Sequence, residues 1–91
     1  MKKSYIINYE LTNYYQKNKQ IEDIIKELGG DYICPQPGTW IIKTRLDPIQ
    51  ITEELKPVFS PQDHLLVFQI KNNFWGLQEE GVWKFIRRYI F

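Results

Sequence analysis

The sequence contains one cysteine, Cys34, and one histidine, His64. A single thiol makes no intrachain disulfide and no cysteine-based zinc site. No motif sets a serine or cysteine beside the lone histidine, so nucleophilic catalysis has no support. Charge of one sign is also missing: Lys plus Arg number 12 and Asp plus Glu 11, a formal balance of +1. That removes the general basic excess common among nucleic-acid binders, while leaving a local patch open. No apolar run approaches the ~20 residues of a membrane span. The opening MKKSYIINYE has two lysines but lacks the apolar stretch of a signal peptide. These absences predict no membrane association and a reducing, cytoplasmic setting.

What remains is core material. Hydrophobic residues make up 43% and aromatic residues 15% of 91 positions, enough for one domain over residues 1–91 and too little for two. From Tyr5 to Leu11 the side chains alternate, with Tyr5, Ile7, Tyr9 and Leu11 on a face suited to a helix-covered core. Ile6, Asn8 and Glu10 fall on the other face. Ile21, Ile24, Ile25 and Leu28 then recur at helical spacing, with Asn18 as the expected N-cap and Gly29-Gly30 as the stop. Thr12 to Lys17, including Tyr14 and Tyr15, reads as a polar connection.

Asp31 to Cys34 predicts a short strand, PQPG a turn, and Thr39 to Leu46 a second strand with Trp40, Ile42, Thr44 and Leu46 on one face. Asp47-Pro48 is a strong helix start, and Ile51, Leu55, Val58 and Phe59 form its apolar stripe until Pro57 ends it. Ser60 to Asp63 reads as a turn. His64 to Ile70 is the most apolar strand, predicted to lie centrally in the sheet. Phe74, Trp75 and Leu77 are expected to cover a sheet edge, and a helix is predicted over about residues 79–91.

The order βαββαβ plus a helix predicts an α+β, ferredoxin-like sandwich with both crossover helices on one sheet face. The opposite face, with Ile6, Asn8 and Glu10, is then free to dimerise or bind a ligand.

The stretches YIINYEL, ELGG, CPQPGTWIIKTRL and DHLLVFQIKNNFWGL resemble the small CRISPR-associated adaptation proteins, the Cas-two family, and above all their stand-alone relatives. The resemblance runs from about Ser4 to Leu77. It implies a homodimer with the first strands near the two-fold axis. It also implies a divalent metal such as Mg²⁺, held between subunits for phosphodiester hydrolysis by the acid that closes the first strand, here Glu10. The family carries Asp at that position, and it has a fifth, exchanged strand where this chain predicts a helix.

Glu10 thus has two readings, a catalytic metal ligand completed across a two-fold, or a solvated strand-end residue. Lys17, Lys19, Lys43 and Arg45 are the candidate contacts to DNA or RNA phosphates, with Tyr14 and Tyr15 available to stack on bases. Arg87 and Arg88 could also reach phosphates but suit a helix C-terminus, and Trp40 suits the core. His64 reads as a strand-edge residue and Cys34 as a small core residue. The functional expectation is a Cas-two-like nucleic-acid-associated homodimer, in the limit a degenerate metal-dependent endonuclease. The alternative is a non-enzymatic interaction module of a phage or mobile element that binds a host protein.

Overall fold

The computed structural model describes residues 1–91. Four strands and three helices make an α+β unit. In chain order they are β1 (Lys3–Glu10), α1 (Tyr14–Lys26), β2 (Tyr32–Gln36), β3 (Thr39–Thr44), α2 (Pro48–Leu55), β4 (His64–Gln69) and α3 (Glu80–Phe85), which widens into a final π turn, Ile86–Ile90. The strands form one antiparallel sheet in the order β2-β3-β1-β4.

Alternation in β1 does what its pattern dictates: Tyr5, Ile7 and Tyr9 are buried while Asn8 and Glu10 are exposed. Cross-strand register carries that sidedness over the sheet, since Ile7 faces Trp40 of β3 and Val67 of β4. Ile21 and Ile25 of α1, and Ile51 and Leu55 of α2, close the core from above. Each fully buried aliphatic side chain of this kind contributes about 1.5–3 kcal/mol.

Local chemistry sets the boundaries. Asp47 caps α2 in a reciprocal box: its carboxylate accepts from Gln50 N at 2.8 Å, and Gln50 Oε1 accepts from Asp47 N at 2.9 Å. Pro57 restricts the continuation to a single 3₁₀ turn, Lys56–Val58. Gly38, at φ 79°, turns β2 into β3 where a Cβ would lie 2.8 Å from the Tyr9 carbonyl oxygen. Gly30 lies so close to β3 that a Cβ would meet the Lys43 carbonyl oxygen at 1.7 Å. The β2–β3 pairing shifts register between Ile33 and Gln36, a bulge that accommodates Pro35 on an edge strand.

Five expectations are corrected. Helix α1 begins at Tyr14, with Asn13 rather than Asn18 at its N-cap, because residues 14–17 contain no breaker even though they lack an apolar period. Strand β4 is an edge strand, not a central one. Its apolar run is continuous because Leu65 and Val67 face the core while Leu66 and Phe68 face away, 54% and 58% exposed. Cys34 is exposed, its Sγ donating to the Gln36 carbonyl at 3.2 Å. Trp75 and Leu77 cover no edge and are themselves exposed.

The fifth correction concerns the free sheet face. The C-terminal turn lies against β3 and α3 against β2, and Ser4 Oγ donates to the Ile90 carbonyl at 2.6 Å. Ile86 and Ile90 are buried apart from the main core, on the side that Ser4 shares with Ile6 and Ile41. The helix therefore roofs the β2–β3 half of this face. Only the β1–β4 half, with Asn8, Glu10, His64, Leu66 and Phe68, stays exposed. No helix is long and apolar enough to cross a membrane.

Candidate functional site

Glu10 ends β1 opposite His64, the first residue of β4. Their side chains are 88% and 76% exposed, and Glu10 Oε1 lies 3.8 Å from His64 Nδ1. Asn8, Tyr9 and Leu66 complete a shallow depression of about 230 Å³ around the pair. The chain contains no cluster of three or more His, Cys, Asp or Glu side chains able to hold a metal. A hard cation such as Mg²⁺ takes near-octahedral oxygen coordination. One carboxylate beside an imidazole does not fit it. Within a single chain the donor set is insufficient, and only a second copy could bring another Glu10.

The four basic candidates separate into two groups. Lys17 donates to the Asp63 carboxylate and, at 2.9 Å, to Ser60 Oγ, so its ammonium is already held inside the protein. Lys19 bridges along α1 to Asp23 at 2.8 Å and Glu22 at 3.8 Å, bonds that raise its pKa. Lys43 and Arg45, by contrast, have no carboxylate partner. They lie where β3 ends, beside the start of β1 and the end of β4: Lys3 pairs with Thr44 and Tyr5 with Gln69. The same end of the sheet therefore also gathers Lys2, Lys3 and Lys71, none of them ion-paired. Lys2 and Arg45 share the rim of a depression with Leu28, Gly29 and Gly30. Asp31 and Asp47 lie near this end but pair with none of the cations; the Asp47 side chain is committed to capping α2. Sequence reading missed Lys2, Lys3 and Lys71, which strand register alone brings to Lys43 and Arg45.

At the opposite end, Asp63 organises a junction that reads in sequence only as a turn. Its side chain is fully covered and accepts from Thr12 N (2.8 Å), Thr12 Oγ1 (3.0 Å), Ser60 N (2.8 Å) and Ser60 Oγ (2.9 Å), in addition to Lys17. The Lys17 ammonium, foremost, and these hydroxyl and amide donors hold its pKa far below the usual carboxylate range. The short Ser60–Asp63 spacing hints at part of this; the approach of Thr12 and Lys17 is tertiary.

Buried aromatics are structural. Trp40 Nε1 donates to Tyr9 Oη at 3.0 Å, and Tyr9 Oη donates to Asn18 Oδ1 at 2.9 Å. Burial pushes the Tyr9 phenol up to about 12, against a smaller opposing effect of the Trp40 bond. Desolvation likewise raises the Cys34 thiol, which keeps it protonated and a poor nucleophile near neutrality. Of the stacking candidates, Tyr15 is 95% exposed and packs edge-on to Tyr14. A second aromatic feature was not legible in sequence: Trp75, Trp83, Phe74 and Phe91 form a continuous stack with ring centroids 5.3–5.8 Å apart.

No family model, no curated protein and no solved structure matches the chain.

Proposed function

We propose that the chain is a ferredoxin-like, Cas-two-like homodimer that associates with nucleic acid through the basic end of its sheet. The strand order β2-β3-β1-β4, with two helices packed on one face, supports the ferredoxin-like assignment. The observation that carries the functional reading is the placement of Lys2, Lys3, Lys43, Arg45 and Lys71 at one end of the sheet, without ion pairs, on a chain whose net charge is only +1. Cations left unpaired at the end of a sheet are suited to phosphate contacts, which supply affinity without reading sequence. Phosphodiester cleavage is a separate arm of the proposal. It requires two Glu10 carboxylates around one Mg²⁺, and so depends on how the copies meet.

Fluorescence anisotropy with labelled single- and double-stranded oligonucleotides tests the binding arm. Lys43→Glu with Arg45→Glu should weaken binding more than tenfold. If about four phosphates are neutralised, log K should fall with log salt at a slope of roughly −3 to −4. Absence of binding at low salt defeats the reading. Cleavage in Mg²⁺ or Mn²⁺ that Glu10→Gln abolishes would establish the catalytic arm, and intact substrate would remove it. The exposed Trp75 and Leu77 favour the second reading, a module that docks a host protein. In that case oligonucleotide binding is absent, and replacing these two residues abolishes the partner interaction.

A further inference from the structure

Strand β4 ends the sheet, and its outer edge carries none of the usual devices against strand pairing. HLLVFQ contains no lysine, proline or glycine, and its pairing with β1 runs in unbroken register from His64 to Gln69. The direction of its free groups follows from one hydrogen bond. Ile70 N donates to the Ser4 carbonyl at 2.9 Å, so Ile70 directs its backbone groups inward to β1. Antiparallel alternation then turns Phe68, Leu66 and His64 inward and leaves Gln69, Val67 and Leu65 with N–H and C=O groups facing outward. Three of the exposed large hydrophobic residues flank this edge. Leu66 and Phe68 lie on the face opposite α1 and α2, and Ile49, 74% exposed, lines a depression with Val67 on the α2 side.

We infer that β4 is the homodimer interface, pairing antiparallel with β4 of a second copy about a two-fold axis at Val67. The occupant is specified by two features. A free ladder of alternating donors and acceptors selects a strand. The side-chain pattern then selects this strand: with Val67 opposite its own copy, Leu66 falls opposite Phe68 on the open face and Leu65 opposite Gln69 on the other. That register uses every outward group of Leu65, Val67 and Gln69, about six hydrogen bonds across the seam. A two-fold at Leu66 would instead draw on Asp63 N, which already donates to the Ser60 carbonyl. Leu66 and Phe68 of both copies merge into one apolar strip, and the two sheets join into one. No charged side chain belongs to the pairing edge except His64 when protonated. This inference rests on the homodimer reading above and alters its chemistry. Glu10 lies one strand inward and level with His64, so strand spacings place the two Glu10 Cα atoms roughly 25 Å apart. The edge dimer binds nucleic acid without forming a shared metal site.

Sedimentation and cross-linking of the full chain in a Cys34→Ser background test this. We expect a dimer, a spontaneous disulfide in Val67→Cys, and none in Glu10→Cys. Phe68→Lys should convert the dimer to a monomer with an unchanged circular dichroism spectrum, because Phe68 is exposed in the single chain. A dimer that cross-links through Glu10→Cys but not Val67→Cys, or that survives Phe68→Lys, overturns the edge interface while keeping the homodimer. A monomer at hundreds of micromolar overturns both.

Discussion

The hydroxyl of Ser4 donates to the carbonyl of Ile90 at 2.6 Å, tying the first strand to the last turn of the chain. The bond is buried, and it locates the C-terminal helix on the sheet face that would otherwise be open. Half of that face is therefore spent on intramolecular packing, and only the β1–β4 half of it stays exposed.

Removing this roof has a measurable cost. Ile90 is fully buried, so Ile90→Ala should destabilise by about 2–4 kcal/mol through lost transfer energy and a residual cavity. Ser4→Ala should cost about 1 kcal/mol, since it removes one buried hydrogen bond. Urea denaturation of each variant and of the pair checks both values. The two sites are in contact, so their effects should depart from additivity.

The Asp63 junction predicts acid sensitivity. Its folded pKa is depressed, so the unfolded chain binds more protons wherever the pH lies between the two values. Stability is then fully present above the ordinary carboxylate pKa of about 4 and is lost as the pH falls below it. Asp63→Asn should lower the melting temperature at pH 7 and flatten this acid limb. Thermal melts from pH 2 to pH 7 will show it. Lys17→Ala should likewise lower stability yet leave oligonucleotide affinity unchanged, which separates Lys17 from Lys43 and Arg45.

These contrasts show which parts of the molecule were legible in sequence. Period-two alternation placed Tyr5, Ile7 and Tyr9 inward correctly, and Asp47-Pro48 marked α2, because both signals act within a few residues. The apolar density of β4 misled, since a strand covered by helices on one face reads like one covered twice when its exposed face, with Leu66 and Phe68, is apolar too. Tertiary register was invisible: nothing local links Lys71 to Arg45, or Thr12 to Asp63. Glu10 was located correctly on the sheet face opposite α1 and α2, and the chain brings it into no cluster of three or more His, Cys, Asp or Glu side chains.

Glycine positions offer a sharp stability test. Gly30→Ala places a methyl group against the Lys43 carbonyl, and backbone rather than a flexible side chain must yield. Gly38→Ala combines a strained φ of 79° with a tight approach to Tyr9 O. Gly29, also at φ 79°, meets nothing within 4 Å. We expect Gly30→Ala to be the most damaging and Gly29→Ala to cost only about 1 kcal/mol from its backbone conformation. Chemical denaturation of the three variants ranks them directly.

The Tyr9 phenol predicts a stability limit at high pH. It bridges Trp40 and Asn18, and burial raises its pKa to about 12. Its neutral form is thus favoured by folding, and the unfolded chain loses the proton first. The contribution is complete below about pH 10 and is lost as the pH rises towards 12. Tyr9→Phe removes that titration but leaves the buried Trp40 N–H without its acceptor, at a cost of about 1–3 kcal/mol at neutral pH. Two measurements therefore move in opposite senses: Tyr9→Phe lowers stability at pH 7 and reduces the loss between pH 10 and pH 12. A variant that retained the full alkaline decline would transfer its cause to Tyr5, whose pKa burial also raises.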